Sequence, residues 1–255
     1  AQVAALTTDQ ISSLTTAQVT NLTTNQLTAL TTAQVVALTT DQVASIKASY
    51  VPALTTAQVA KMETDDIAVI STDQIAAMST AQVSTLTTAQ VVALTTAQVS
   101  SLSTDQLAAI KTAQLASMET VDFAAITTAQ ISALTTAQMV ALTTDQVVTL
   151  STDQAAALTT AQLAAFTTAQ LVTMEVDDFA AITTAQITAL KTAQIASLTT
   201  AQVVALTTAQ VANLTTAQLS AFTTAQLVTM ETEDIAAITT EQITSLTTAH
   251  VSALT

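Results

Sequence analysis

The stretch LTTAQVVA at residues 30–37 decides the fold, because its eight-residue pattern recurs along the whole chain. Counted from Leu6, octads fill residues 6–253, and these 248 residues make 31 octads. In the octad 30–37, Leu30 is position 1 and Gln34 is position 5. Position 1 is always Leu, Ile, Met or Phe, and position 6 is always apolar. Position 5 is Gln except at Tyr50, Asp66, Asp122, Asp178, Asp234 and His250.

A longer period lies on top of the octads. Met-Glu pairs begin at Met62, Met118, Met174 and Met230, so they recur every 56 residues, or every seven octads. We therefore predict one solenoid over residues 1–255, built from a 56-residue super-repeat. Its blocks are 6–61, 62–117, 118–173, 174–229 and 230–255.

A continuous α-helix does not suit this period. Eight residues turn about 800°, which is roughly 80° beyond two full turns, so the apolar stripe would wind around the helix. A β-solenoid is the alternative, because Thr and Val favour strands. Positions 1 and 6 have opposite parity, however, and β corners usually need Gly, Asn or Asp, whereas the chain has no Gly.

The octad reads best as the start of a helix. The first Thr suits the N-cap and Gln falls three residues later, which is the capping-box spacing. Position 1 and position 6 then form the hydrophobic staple, and Asp variants such as Asp9 fall in the first turn, where the helix dipole favours an anion. The sequence thus predicts an all-α repeat solenoid of very short capped helices, one per octad, with a β-solenoid as the alternative.

The composition excludes several classes of function. The chain has one His, four Lys, no Arg, no Cys and no Gly, and its formal net charge is −14. These counts leave few groups for acid–base or thiol chemistry and provide no phosphate-binding glycine loop, so we expect no enzyme. The negative charge disfavours nucleic acid as a partner, and apolar runs of about four residues are too short for membrane insertion.

The sequence begins and ends within an octad. The chain opens as AQVAA, which is positions 4–8, and closes on Leu254 and Thr255, which are positions 1 and 2. Solenoids usually carry polar capping repeats, and we recognise none here. We therefore expect uncapped ends that stack on other copies of the chain or on flanking repeats of a longer one.

Thr-Ala-Gln octads over the whole chain resemble the octapeptide-repeat tracts of large bacterial secreted and cell-surface proteins. That resemblance implies an extracellular or cell-surface location and a structural role. The leading functional prediction is an extended stalk, fibre or self-assembled filament, with the chain itself as the partner.

The Met-Glu octads are the candidate ligand sites, because each gathers carboxylates, and Ca²⁺ prefers oxygen ligands. Calcium is the one cofactor that the sequence suggests, and no other is expected. The candidate calcium ligands are Glu63, Asp65, Asp66, Glu119, Asp122, Glu175, Asp177, Asp178, Glu231, Glu233 and Asp234. Evenly spaced Thr pairs suggest ice binding as a further alternative.

Overall fold

A computed structural model describes residues 3–254, and in that range the chain is helical without any strand. Thirty α-helices of four to six residues and two 3-10 helices follow one another, one per octad. The all-α repeat solenoid is confirmed, and the β-solenoid alternative is wrong. The physical reason is that the cap, the staple and the helix start are all encoded in the same eight residues.

The helices of residues 3–126 are η1 Val3–Ala5, α1 Thr8–Ser12, α2 Thr16–Thr20, α3 Thr24–Ala29, α4 Thr32–Val36, α5 Thr40–Ala44, η2 Ala48–Ala53, α6 Thr56–Val59, α7 Thr64–Val69, α8 Thr72–Ala77, α9 Thr80–Thr85, α10 Thr88–Val92, α11 Thr96–Ser101, α12 Thr104–Ala109, α13 Thr112–Ser117 and α14 Thr120–Ala124. Those of residues 127–254 are α15 Thr128–Ala133, α16 Thr136–Ala141, α17 Thr144–Val148, α18 Thr152–Ala157, α19 Thr160–Ala165, α20 Thr168–Thr173, α21 Val176–Ala180, α22 Thr184–Ala189, α23 Thr192–Ser197, α24 Thr200–Val204, α25 Thr208–Asn213, α26 Thr216–Ala221, α27 Thr224–Leu227, α28 Thr232–Ala237, α29 Thr240–Ile243 and α30 Thr248–Ala253.

The capping box is present as the sequence predicts. In α16, the Thr135 hydroxyl accepts from the Gln138 amide at 3.2 Å, and the Gln138 side chain accepts from the Thr135 amide at 2.8 Å. The same box opens the other α-helices whose N-cap is Thr or Ser. After Lys111 and Lys191 only the Gln half forms, because an ammonium group cannot accept a hydrogen bond.

The corners between helices need no glycine. Most helices close with a 3-10 bond from the next position-1 amide, as from Leu134 to the Ile131 carbonyl at 3.2 Å, whereas α7 closes with a bond from Ile70 to the Asp66 carbonyl. Positions 1 and 2 are then extended, with φ −60° and ψ 141° at Leu134 and φ −73° and ψ 155° at Thr135. No residue of the described range has a positive φ. The absence of Gly from the sequence is therefore consistent with this corner.

The chain divides into two compact units, residues 1–126 and 127–255. Within each unit a helix packs on the helices three octads before and three octads after it, such as α9 on α12 and α19 on α22. Three octads thus make one coil. The prediction of a single domain over the whole chain stays a prediction.

The core of each unit is formed by positions 1 and 6. Position 6 is fully buried at residues such as Ile75 and Phe179, and position 1 is buried at residues such as Leu86 and Phe222. Position 4 is exposed throughout the described residues, and position 3 is exposed in most octads. Because burial of apolar surface drives the packing, each octad is stabilised mainly by its neighbours in the adjacent coils.

Candidate functional site in the coil interface

The position-5 glutamine links one coil to the next. In α19, Gln162 Oε1 accepts from the N-cap amide of Thr159 at 2.7 Å. Its Nε2 donates to the carbonyl oxygens of Ile131 at 2.8 Å and Leu134 at 2.7 Å, three to four octads earlier. Both amide hydrogens and the amide oxygen of a side chain with 2 % exposure are therefore paired.

The two accepting carbonyls lie at the end of a helix. The last carbonyl groups of an α-helix have no partner within the helix, and a helix of four to six residues has few others. Gln162 therefore satisfies the amino end of its own helix and the carboxyl end of α15 with one side chain. Because one side chain pairs both helix ends, these buried polar groups have hydrogen-bond partners within the protein.

The same bonds repeat through both units, and we call this set the glutamine ladder. Its members include the following residues, each of which donates from Nε2 to a carbonyl of the preceding coil: Gln34, Gln42, Gln58, Gln74, Gln82, Gln90, Gln98, Gln106, Gln114, Gln162, Gln170, Gln186, Gln194, Gln202, Gln210, Gln218, Gln226 and Gln242.

Sequence reasoning assigned the glutamine to the capping box alone and missed the bonds between coils. A signal was present in the composition of position 5. A capping box accepts Glu as readily as Gln, yet none of the 31 octads has Glu there. Only an amide supplies the two donors that the neighbouring coil requires.

The candidate calcium ligands fall into two groups. Seven are exposed at positions 2 and 4, namely Glu63, Asp65, Glu119, Glu175, Asp177, Glu231 and Glu233. The other four are the position-5 residues Asp66, Asp122, Asp178 and Asp234, which are buried. In the described range, no three acidic or histidine side chains come together as a metal cluster. Calcium binding itself stays a prediction.

The Met-Glu octads of one unit do not share a face. Seven octads are two coils of three plus one octad, so the octad at Met62 and the octad at Met118 lie on different faces of the coil. The same holds for Met174 and Met230 in the other unit.

The buried aspartates carry perturbed carboxyl groups. Burial raises the pKa of Asp178 to about 6, with smaller contributions from the charges of Glu175 and Asp177. Burial also raises the pKa of Asp66 to about 6, although the Glu63 amide hydrogen bond opposes the shift. Burial also raises the pKa values of Asp122 and Asp234. The charge of Glu119 adds to the shift of Asp122, and the charges of Glu231 and Glu233 add to that of Asp234.

Two other position-5 residues were singled out from the sequence. His250 Nδ1 accepts from the Thr247 amide at 3.4 Å, so it takes over the capping role of Gln. Tyr50 lies in the octad that contains Pro52, which forms the 3-10 helix η2 and still packs on α3 and α8. The Lys47 ammonium lies 5.2 Å from the centre of the Tyr50 ring, a cation–π contact at this altered corner.

The comparisons with known proteins agree with the repeat unit. The sequence model of the ALTTAQ repeat matches residues 16–48, 59–96, 92–120, 115–152 and 171–208, which together cover more than half of the chain. The chain belongs to the ALTTAQ repeat family. No curated protein matches it.

The six letters of the ALTTAQ repeat correspond to the structural parts described above. In Ala93–Gln98 they are a half-buried Ala, the core Leu94, the N-cap Thr95, the exposed Thr96 and Ala97, and the ladder residue Gln98. The family pattern therefore encodes one corner of the coil. Within the described range, no helix is long and apolar enough to cross a bilayer.

Proposed function

We propose that this ALTTAQ repeat chain is a structural, non-enzymatic protein that forms an extended stalk or fibre. The observation that carries the proposal is the glutamine ladder, because within each unit it binds one coil to the next. A protein whose stability is a sum of nearest-neighbour contacts can be lengthened without redesigning a core. That property suits a spacer.

The chemistry of the chain supports a role without catalysis. The chain consists of helical repeats, and its single histidine is used as a capping residue at His250. The position-5 amides are consumed by hydrogen bonds, and the exposed positions 3 and 4 carry mainly Thr, Ala and Asp. This surface offers no nucleophile paired with a base.

A location outside the cell or on its surface is part of the proposal. It is supported by the resemblance of these octads to repeat tracts of bacterial surface proteins. Antibody labelling of intact cells of the source organism tests it. Labelling of intact cells is expected, and labelling of permeabilised cells alone would contradict the surface location.

The decisive test of the spacer function is a change of length. A second copy of residues 62–117 is inserted after residue 117, which keeps the octad register, and small-angle scattering measures the maximum dimension. We expect the dimension to grow in proportion to the seven added octads. Growth with roughly the 0.4 power of chain length, as in a compact globule, would overturn the proposal.

Self-association into filaments is the second part of the predicted function, and exposed valines favour it. Position 7 carries Val36, Val92, Val140, Val148, Val204 and Val228, which are 38–54 % exposed. Exposed apolar side chains promote association, and the low charge density opposes it weakly. Sedimentation velocity of the chain and of a variant with these six residues changed to Thr tests the contribution. Larger species are expected for the unchanged chain alone, and monomers in both would contradict lateral assembly.

A further inference from the structure

In the corners where position 5 is Asp178 or Asp234, the side chain lacks the two hydrogen-bond donors that Gln provides at position 5 of most other corners, which we call glutamine corners. At a glutamine corner of the same unit, Gln170 Nε2 donates to the carbonyls of Met139 at 2.9 Å and Leu142 at 2.7 Å. The corresponding carbonyls opposite Asp178 belong to Val147 and Leu150. No described side chain donates to either of them, because a carboxylate has no hydrogen to give.

The carboxylates themselves are also without a partner. Asp178 is 4 % and Asp234 is 2 % exposed, and the Oδ2 atom of each is buried without a hydrogen-bond donor. By register with the glutamine octads, the carbonyls that would accept from position 5 belong to Val147 and Leu150 for Asp178, and to Val203 and Leu206 for Asp234. Each of these octads therefore has a buried carboxylate oxygen without a donor and two carbonyls that receive no side-chain donor. A buried charge without a partner is strongly unfavourable, so either a proton or a positive group has to neutralise the carboxylate, and above its raised pKa only a positive group can do so.

The described residues do not supply that positive group. Among residues 3–254, no lysine forms an ion pair, and no lysine contributes to the raised pKa of either aspartate. A water molecule could donate to two of the three oxygens, but it would leave the charge uncompensated. The nearby carboxylates add to the negative charge at both corners, through Glu175 and Asp177 at one and Glu231 and Glu233 at the other.

We propose that these two corners bind Ca²⁺, held between the aspartate carboxylate and the helix-end carbonyls of the adjacent coil. The ligands are all oxygen atoms, which suit a hard cation, and two of them are backbone carbonyls in an irregular arrangement. Ca²⁺ accepts such sets, whereas Mg²⁺ requires a near-octahedral shell and releases its water reluctantly. Water molecules supply the remaining ligands.

This site differs from the one that the acidic clusters suggest in the sequence. It uses one buried carboxylate and the neighbouring coil instead of three carboxylates of one octad, so the cation links two coils. The inference goes beyond the spacer function and does not rest on it, because a cation can bind whether or not the chain is a stalk.

The test uses the full chain after removal of metal with a chelator. Isothermal titration with CaCl₂ at pH 7.5 and thermal unfolding with and without CaCl₂ are measured. We expect about two Ca²⁺ per chain and a higher Tm with calcium, because a ligand that binds only the folded state stabilises it. An unchanged Tm without measurable heat of binding would overturn the proposal.

The variant Asp178→Gln/Asp234→Gln separates this site from diffuse attraction to the acidic surface. Glutamine restores the two missing donors, so the variant is expected to fold and to have a higher Tm than the metal-free parent. Its calcium response should be lost. The control Asp145→Asn removes an exposed carboxylate from a glutamine octad and should bind as the parent does. An undiminished response in the double variant, or an equal response of the parent to MgCl₂, would refute the assignment.

Discussion

The side-chain nitrogen of Gln98 lies 2.7 Å from the carbonyl oxygen of Ile70, which belongs to the octad three places earlier. The same nitrogen lies 2.8 Å from the carbonyl oxygen of Ile67 at the end of α7. One side-chain amide of the following coil is thus bonded to two consecutive octads, 62–69 through Ile67 and 70–77 through Ile70. Because Gln98 is 2 % exposed, these bonds are shielded from bulk solvent.

The first prediction concerns the change Gln98→Glu. The carboxylate keeps the acceptor of the capping box, but it places a buried negative charge against the Ile67 and Ile70 carbonyls. We expect a loss of about 2–4 kcal/mol in the free energy of unfolding, measured by urea denaturation at pH 7.5. The control Gln10→Glu lies at an exposed corner that forms only its own box and should cost about 0.5 kcal/mol or less. Equal losses at both positions would show that the bonds to the preceding coil contribute nothing.

The second prediction concerns the N-cap. Thr135→Ala removes the hydroxyl that accepts from the Gln138 amide, so we expect a loss of about 1 kcal/mol. Thr136→Ala changes the exposed neighbour in the first turn of α16 and should have little effect. Urea denaturation of both variants measures the difference, and an equal effect would mean that the cap does not stabilise the coil.

The converse change should stabilise the chain. Lys111 occupies the N-cap of α13 without a side-chain acceptor, so Lys111→Thr completes the box with Gln114. We expect a gain of about 0.5–1 kcal/mol by urea denaturation. Lys61→Thr, a change outside any cap, serves as the control for the altered charge. A gain of the same size in the control would assign the effect to charge instead of to the cap.

The short capped helices could be predicted because their determinants are local. Thr31 and Gln34 lie three residues apart in the chain, and the capping box needs nothing beyond that spacing and a following apolar residue. The absence of Gly was a further guide, since it argued against β corners. These features concern one octad at a time.

The coil could not be predicted in the same way, because it depends on contacts between distant octads. The number of octads per turn follows from how Gln162 meets Leu134, 28 residues away, and no local pattern states that distance. The buried state of Asp178 was missed for the same reason. Its octad looks like an exposed acidic corner, and only the packing of α18 and α24 against α21 reveals that position 5 is enclosed.

A small cavity gives a prediction about packing. Beside η2, an apolar cavity of about 20 Å³ is lined by residues that include Val51, Leu54, Val59 and Ile67. One added methylene group at Val59→Ile can fill it, so we expect a gain of up to about 1 kcal/mol in stability. The control Val83→Ile adds the same group where the core is filled and should be neutral or destabilising by about 1–3 kcal/mol. Urea denaturation compares the two, and a loss at Val59 equal to that at Val83 would show that the cavity cannot accept the group.

The last prediction concerns pH in the absence of calcium. Burial raises the pKa of Asp66 and of Asp178 from 3.8 to about 6, so the folded chain binds protons more tightly than the unfolded chain between these values. By linkage, the free energy of unfolding must then fall as the pH rises from about 4 to about 6.5. The charges of Glu63 and Asp65 on α7 add to the shift of Asp66, and those of Glu175 and Asp177 on α21 add to the shift of Asp178. The helices packed on α7 and α21 carry one acid each in α5 (Asp41) and α18 (Asp153), and no titratable side chain in α10 and α24.

Thermal unfolding in a chelator at pH 5 and pH 7.5 measures this dependence. We expect a higher Tm at pH 5, because protonation both removes the buried charge and provides a hydrogen that can be donated to the facing carbonyl. Replacing Asp66, Asp122, Asp178 and Asp234 together by Asn should make the Tm nearly independent of pH in this range, since these are the carboxyl groups whose pKa is raised. If the variant keeps the full dependence of the parent, the effect comes from the net charge of −14 and not from the buried aspartates.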